Sequence, residues 1–233
     1  MPALRFARVI QANYFIRDTG VTAVSPAGKE TGERIVDGNG NWIASGDIAI
    51  LGDPNPDFKM TGISTLSFKG ISFRMQWDYT KGGDILSYSA GSVIGRGLSK
   101  DTDFDRQQML ILPGVKQDGT PNDIMTSASQ AYFTNLSGFF ASDVIVFDAS
   151  TIRLREASLS YSIPASMLSR SPFGAISITF SGQNLWYNAF NTPKYVNLDP
   201  ETSSLGANSN GRGLEYLTGP TSKRYGVSVR VSF

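Results

Sequence analysis

The chain has 233 residues, of which 40% are apolar and 18% charged, so it is long enough to bury a sizeable core and too hydrophobic to be disordered. Its net charge of +1 lacks the basic excess of nucleic-acid-binding proteins, and we expect no nucleic-acid partner. The sequence contains no His and no Cys, which excludes disulfides, thiol catalysis, the Ser-His-Asp triad and histidine zinc sites. We therefore expect neither an enzyme nor a bound cofactor.

The first predicted elements are β-strands. Residues 4–16 are a weak candidate strand, and the clearest strand is 71–79, where every odd-numbered residue is apolar or aromatic and every even-numbered one is polar. A period of two is typical of a strand with one apolar face. Phe58–Phe68 precedes it and is joined to it by Lys69 and Gly70. Because glycine favours tight turns, the pair is predicted to form a hairpin.

Three further strands are predicted in the second half of the chain, at 150–163, 174–185 and 225–233. In the first of them the apolar residues change parity, which predicts a β-bulge near Glu156. Short helical turns are predicted at 105–112 and 165–169. No apolar run approaches the roughly 20 residues of a transmembrane helix, and we expect no signal peptide, since arginines interrupt the first segment.

The connections between the predicted strands alternate between short and long. The turns at 69–70 and 164–173 are short, whereas the connections at 17–57, 80–149 and 186–222 far exceed the usual length of about 4–6 residues. Outer-membrane barrels have short periplasmic turns and long outer loops. The alternation therefore favours an all-β fold of about six antiparallel up-and-down strands, as in an outer-membrane barrel, with the C-terminus on the periplasmic side of the short turns.

The apolar faces of these strands have two possible environments, lipid or the core of a soluble β-sandwich. Aromatic residues lie at strand ends, as Trp77 and Tyr79 do, and membrane barrels carry aromatic girdles at both interfaces. The opposite faces carry charges such as Arg74 and Arg230, which suit a hydrated lumen. The pattern favours lipid, and a soluble β-sandwich that binds carbohydrate stays as the alternative. An enzyme on a β scaffold is a weaker third possibility, because no paired-acid site is evident.

Six short motifs in order carry a family resemblance: ILGDPNPDF at 50–58, KGGDI at 81–85, IRLREASLSYSIP at 152–164, SGQNL at 181–185, DPE at 199–201 and RYGVSVRVSF at 224–233. Together they resemble the C-terminal part of the SusC/RagA-type TonB-dependent outer-membrane transporters of Bacteroidetes. The resemblance runs from about residue 32 to the end of the chain. It implies that the strands form the C-terminal arc of a large barrel of about 22 strands.

The resemblance also implies a function, a location and partners. The family imports oligosaccharides or peptides across the bacterial outer membrane, driven through TonB. The implied partners are a SusD-like surface lipoprotein, TonB acting through an N-terminal part, the barrel-assembly machinery, outer-membrane lipid, and a glycan or peptide ligand. We expect residues 1–56 to hold the weak first strand and an outer loop, and 57–233 the C-terminal barrel strands and loops. We expect the plug domain and signal peptide to be absent and the chain to be incompetent for transport alone.

Candidate contact residues for the substrate or the lipoprotein lid are four aromatics of the last long connection: Trp186, Tyr187, Phe190 and Tyr195. Aromatic rings stack on sugars and fill interfaces, and packing on the barrel rim is an equally good explanation. At the end of the chain, an alternating set matches the signal by which barrels reach their assembly machinery: Tyr225, Val227, Val229, Val231 and Phe233.

A weak metal candidate lies at Asp37, Asn39 and Asn41, whose oxygen ligands alternate as in the first part of a calcium loop. The sequence departs from an EF-hand loop, because Trp42 replaces the required Gly and Ile48 replaces the bidentate Glu. We therefore expect no metal and interpret this segment as an Asx-rich turn.

Overall fold

The computed structural model describes residues 33–43, 51–137, 143–169, 171–202, 204, 212–219 and 221–233. The chain divides into two compact units. The loop unit comprises Met1–Asn55, Gly83–Asp148 and Asn191–Gly219, and the sheet unit comprises Pro56–Gly82, Ala149–Phe190 and Pro220–Phe233. The predicted strand at 4–16 lies outside the described residues.

The described strands, numbered along the chain, are β1 (Phe58–Phe68), β2 (Ile71–Lys81), β3 (Asp84–Ser87), β4 (Met109–Ile111), β5 (Met125–Ser127), β6 (Val146–Asp148), β7 (Thr151–Ser162), β8 (Ala175–Ala189), β9 (Leu214–Glu215) and β10 (Arg224–Ser232). The α-helices are α1 (Tyr88–Gly95), α2 (Ala128–Ala131) and α3 (Ala165–Leu168), and a π-helical turn at Tyr132–Leu136 continues α2. Within the described ranges, no helix combines the length and hydrophobicity needed to cross a bilayer.

The sheet unit is a single five-stranded sheet in the order β1-β2-β7-β8-β10. All four pairings are antiparallel, and each strand pairs with the next strand of the sheet along the chain. This arrangement is the predicted up-and-down meander, and the sheet is open rather than closed into a barrel. The five predicted strands that lie within the described residues are confirmed, with bounds that differ by a few residues.

The short connections follow the turn chemistry of the sequence. Lys69 and Gly70 have φ angles of 46° and 84°, so they form a two-residue turn with both central residues in the left-handed region. This turn twists in the same sense as the strands that it joins. The second short connection contains α3, which confirms the helical turn predicted at 165–169.

The start of β1 is set by two prolines. Pro54 and Pro56 have no backbone N–H to give to a ladder, and the first ladder bond is donated by Asp57 N to Lys81 O over 2.8 Å. At the end of β2 the chain turns through Gly82 and Gly83, both with positive φ, a conformation that glycine adopts freely.

The loop unit contains two small sheets, β6-β3-β9 and β4-β5. Its buried apolar residues include a cluster of Ile35 and Val115, with Ile43 packed against them, and further residues such as Ile85 and Ile145. The helical turn predicted at 105–112 is wrong. Asp105 starts a tight turn, in which its carbonyl accepts from Gln108 N at 3.0 Å, and the following apolar residues pair as β4 with β5. Pairing across the two strands overrode the local propensity for a helix.

Helix α1 was not predicted from the sequence. Its N-terminus is capped by Ser87, whose Oγ accepts from Ala90 N at 3.0 Å. Gly91 and Gly95, one helical turn apart, both lie against Ser137. A Cβ on Gly91 would collide with the Ser137 carbonyl, so the close approach of α1 to the end of the π-helical turn requires glycine there. The same two glycines lower helix propensity, which hid the helix.

Candidate functional site

The sheet presents one continuous apolar face. The register places Phe73 opposite Leu66 of β1 and Leu159 of β7, and Phe180 lies between Leu159 and Val227. Most large apolar side chains of the five strands therefore share one side of the sheet, and Ile63, which pairs with Gln76, lies on the other. Packing against a second sheet would bury them, yet Val227 and Val229 are 65% and 61% exposed.

Aromatic residues lie at both ends of this face. At the end where the long connections leave, the Tyr79 ring contacts Phe58 and Phe190 with centroid separations of 5.8 and 6.3 Å. Beside them Trp77 meets Trp186 edge-on at 6.2 Å. Rings with one polar atom, such as tyrosine and tryptophan, are favoured where an apolar surface meets water.

At the opposite end of the sheet, the Phe173 and Phe233 rings are 5.5 Å apart. Gly174 N also donates to Ser232 O over 2.7 Å. The end of β10 is thus held against the connection between β7 and β8. The predicted assembly-signal residues Tyr225, Val227, Val229 and Val231 lie on the apolar face, and Phe233 follows β10 at its rim. Their role in barrel assembly stays a prediction.

The other face of the sheet is polar and carries paired charges. Arg155 Nε donates to Asp78 Oδ2 at 2.7 Å, and Asp78 Oδ1 also accepts from Thr61 Oγ1 at 3.0 Å. Arg74 lies 3.6 Å from Glu156. A face with charges in ion pairs and hydrogen bonds tolerates water, and such a face would be costly against hydrocarbon.

A bulge brings two of the resembling motifs together. The register of β7 with β2 and β8 skips Arg155, which confirms the bulge predicted near Glu156. On β8 the irregularity falls at Asn184, whose φ of 51° is left-handed, a conformation that asparagine tolerates better than most residues. Arg155 Nη1 donates to Asn184 Oδ1 at 3.3 Å. The bulge keeps the apolar residues before and after it on one face.

The four aromatic candidates do not share one loop. Trp186 and Tyr187 lie within β8, which extends to Ala189, so the prediction that they belong to the connection is wrong. Strand pairing with β7 continued beyond the apolar alternation on which the predicted end rested. Trp186 joins the apolar face, whereas Tyr187 lies on the polar face with Arg153, whose guanidinium is 5.0 Å from its ring.

The other two aromatic candidates follow β8. Phe190 continues the aromatic end of the apolar face through its contact with Tyr79. Tyr195 belongs to the loop unit, where Lys100 and Lys194 lie 5.6 and 5.3 Å from its ring. These positions divide the four candidates between a rim, a polar face and a loop, and their proposed contact role is untested.

Asp37 forms the Asx turn that the sequence indicated. Its Oδ1 accepts from Asn39 N at 2.8 Å and from Asn41 N at 2.9 Å. The Asn41 side-chain oxygen accepts from Asn135 Nδ2 at 3.1 Å. The candidate metal ligands are thus engaged by protein donors, and among the residues that the structure describes no cluster of three acidic side chains could hold a metal.

A buried carboxylate in the loop unit was not predicted from the sequence. Glu215 is 1% exposed and accepts from the hydroxyls of Ser87 and Ser89, both at 2.6 Å, and from Thr218 N at 2.7 Å. Burial alone would raise the pKa of this carboxyl, but the hydrogen bonds outweigh that effect and lower its pKa. Its two serine partners lie 128 and 126 residues away along the chain, so the sequence near Glu215 does not identify the site.

Arg153 was also missed, and a signal for it was present. It is 1% exposed and pairs in register with Asp78 on one side and Tyr187 on the other. Its parity in the strand before the bulge assigns it to the polar face. The alternation therefore predicts its face, whereas its burial was not predictable, because arginine is seldom fully buried.

Comparisons with known proteins agree with the sequence motifs. Two TonB-dependent receptors of Formosa agariphila, P3 and P26, are each 26% identical to this chain, over 202 and 208 residues. The aligned regions cover 85% and 87% of this chain but only 18% and 20% of the receptors. The chain therefore spans about a fifth of the length of the curated relatives that it matches. No family model matches the sequence.

Solved structures show the same fold. The RagAB peptide importer in its closed-closed state matches 96% of this chain with a TM-score of 0.52 and 19% identity, over 22% of that chain. Its open-open state gives a TM-score of 0.52 and 18% identity. The open meander matches part of a TonB-dependent receptor barrel. The predicted resemblance to TonB-dependent receptors of the SusC/RagA type is confirmed.

Proposed function

We propose that this chain, which is similar to TonB-dependent receptors of the SusC/RagA type, forms a C-terminal arc of the barrel of an outer-membrane nutrient importer. The observation that carries the proposal is the exposed apolar face that continues across all five strands of the sheet. Hydrocarbon is the environment in which such a face is stable without a second layer.

The polar face supports the same orientation. Its ion pairs, Asp78 with Arg155 and Arg74 with Glu156, would then line the barrel interior, where water is present. The aromatic rims would lie at the two lipid–water boundaries. β10 ends next to Phe233, at the end of the sheet where the short turns lie. Because outer-membrane barrels have their short turns on the periplasmic side, this end faces the periplasm.

The remaining parts of the proposal concern cargo and partners. The cargo is an oligosaccharide or a peptide, delivered under a SusD-like lipoprotein and moved by TonB acting through an N-terminal part. The apolar residues of β10 guide the strand to the barrel-assembly machinery. Within the described residues, the five-stranded sheet has two open edges and encloses no pore, so we propose that the chain alone does not transport.

The aromatic candidates take different roles in this proposal. Trp186 and Phe190 fit the lipid–water boundary, because they extend the apolar face at its rim. Tyr187 on the polar face and Tyr195 in the loop unit fit contact with cargo or lid, because each lies beside a cation. Sugars and peptides both bind well to aromatic rings that carry neighbouring polar groups.

The three tryptophans provide the test. Trp77 and Trp186 are 37% and 47% exposed on the apolar face, whereas Trp42 belongs to the loop unit and donates to Pro113 O at 2.9 Å. In vesicles of brominated phosphatidylcholine, we expect the Trp42→Phe variant to lose most of its fluorescence to bromine quenching. The matched Trp77→Phe/Trp186→Phe variant, which keeps only Trp42, should be little quenched.

Equal quenching in both variants, or none in either, would contradict the proposal. The rival function is a β-sandwich that binds carbohydrate in water. It predicts a monodisperse monomer without detergent and no bromine quenching of Trp77 or Trp186. The exposure of Val227 and Val229 disfavours it, because a sandwich buries such residues between two sheets.

A further inference from the structure

A small cavity in the loop unit has a positively charged lining. Its volume is about 50 Å³, and it lies where the end of α1 meets the turn around Arg106 and the start of α2. Arg96 and Arg106 both line it, and none of the described residues that line it is acidic. From the cavity and this charge, we infer that it binds the carboxylate of a nutrient molecule.

The geometry of Arg106 supports this inference. Its Nη2 donates to Gly97 O at 3.2 Å, which fixes the guanidinium at the cavity, while a guanidinium has five N–H donors in all. Planar guanidinium groups bind carboxylates through two parallel hydrogen bonds. The partial negative charge at the carboxyl end of α1 is about half a unit, which is smaller than the full positive charge of Arg106.

The nearby aspartates do not cancel this charge from within the cavity. Asp101 accepts from Ser99 Oγ at 2.9 Å, and Asp105 accepts from Gln107 N at 2.9 Å. Both carboxylates are engaged within their own turns, and neither they nor Asp103 belong to the lining. Among the described residues, the charged groups of the lining are therefore the two guanidiniums.

The remaining lining suits the carbon atoms beside a carboxylate. Phe104 and Tyr132 form an aromatic pair with centroids 5.0 Å apart, and Ser129 adds a hydroxyl. Since a water-sized group takes up roughly 10–15 Å³ on this measure, the cavity admits about four such groups. That is the size of a carboxylate with its attached carbon, and the rest of the ligand would lie outside.

A carboxylate of this kind occurs on uronic acid sugars and at the C-terminus of peptides. The inference uses the proposed import function only for the source of the ligand. Calorimetry on the full chain in detergent tests it with two matched pairs of probes. One pair is digalacturonate and its dimethyl ester, and the other is N-acetyl-Gly-Phe and its amide.

We expect one acid to bind and its neutral partner to fail, and the acid that binds identifies the source. Arg106→Gln and Arg96→Gln should each weaken binding about tenfold or more, because each removes charge-assisted hydrogen bonds. Arg106→Lys should restore part of the affinity. Arg212→Gln is the control, since it removes an exposed arginine of the same unit that does not line the cavity.

Unchanged Trp42 fluorescence in each variant would show that the loop unit is still folded. The inference is overturned if neither acid binds, if the neutral partners bind equally, or if Arg212→Gln weakens binding as much as Arg106→Gln. None of these results bears on lipid quenching of Trp77 and Trp186, so failure here leaves the import proposal standing.

Discussion

The two units of this chain differ in the kinds of side chain that they expose and bury. In the sheet unit the large apolar side chains are exposed, with Phe180 and Val227 among them. In the loop unit the buried side chains include many polar ones, among them Glu215, Asn135 and Ser87. A single chain thus contains one region that needs an apolar surrounding and one held by internal hydrogen bonds.

The difference shows how each region is specified. The sheet follows from alternation along each strand and from its turns, which are local features of the sequence. The loop unit instead buries apolar residues from distant segments, such as Leu86 and Ile145, and hydrogen bonds also join distant residues, such as Trp42 N to Asn135 Oδ1 at 2.8 Å. A charged side chain should therefore destabilise the apolar face of the sheet unit, whereas added volume or the loss of a buried polar group should destabilise the loop unit. The following four changes test the stability of the two units.

The largest effect is expected on the apolar face. Val229→Arg places a charge at the middle of β10 and should lower the free energy of unfolding in vesicles by about 2–4 kcal/mol, the cost of arginine at the lipid midplane. Ser228→Arg, one residue earlier on the polar face, is the matched control and should cost far less. Denaturant titration in phospholipid vesicles measures both. Equal costs would mean that the two faces share one environment.

A methyl group should disrupt the loop unit where two backbones meet. Gly91→Ala forces a Cβ against the Ser137 carbonyl, and overpacking of this kind costs about 1–3 kcal/mol. We expect faster hydrogen exchange in α1 and in the π-helical turn, measured by mass spectrometry. Gly38→Ala is the control, because no atom lies within 4 Å of the added Cβ. Normal exchange in Gly91→Ala would contradict the close packing.

Acid should weaken the loop unit through Glu215. Its folded pKa is lowered, so the carboxylate stabilises the fold above the ordinary value of 4.5, and this stabilisation is lost as the pH falls through the folded pKa. Glu215→Gln should flatten this acid dependence and cost about 1–3 kcal/mol at pH 7, because its charged hydrogen bonds are lost.

Thermal unfolding of the loop unit, followed by Trp42 fluorescence between pH 3 and pH 7, measures this effect. The exposed Glu201→Gln of the same unit should leave the pH dependence unchanged. A wild-type profile that stays flat below pH 4.5 would contradict the role of Glu215.

The smallest effect is expected at the bulge. Asn184 has a left-handed φ, which costs a β-branched residue roughly 1–2 kcal/mol, so Asn184→Val should lower the denaturation midpoint. Asn184→Gly should lose less, since glycine adopts this conformation freely. Asn188→Val in the same strand serves as the control and should not destabilise. A tolerated Asn184→Val would argue against the bulge geometry.

Much of the sheet could be predicted from the sequence, because its signals are local. The alternation at 71–79, the turn at Lys69 and Gly70, and the change of parity near Glu156 each identified a feature of the sheet. The end of β8 was placed too early, since Trp186 and Tyr187 continue the strand without a clear alternation. Pairing with β7, a tertiary effect, sets that end.

The loop unit was hardly predictable. The glycines of α1 conceal a helix whose purpose is close packing on Ser137, and Glu215 meets Ser87 only across 128 residues. The positive cavity was equally hidden, because Arg96 and Arg106 meet through the fold of a long connection. Local patterns identify strands, whereas contacts between distant segments of a connection need the tertiary structure.

The long separations within the loop unit also have a kinetic consequence. The hairpin of β1 and β2 pairs residues that are neighbours along the chain, so closing it costs little entropy. The hydrogen bond from Ser87 to Glu215 joins residues that are 128 positions apart, and contacts between residues so distant in sequence form slowly. Pairing of β2, β7 and β8 shortens these spans, so the hairpins are expected to nucleate folding and the Glu215 network to form among the last contacts.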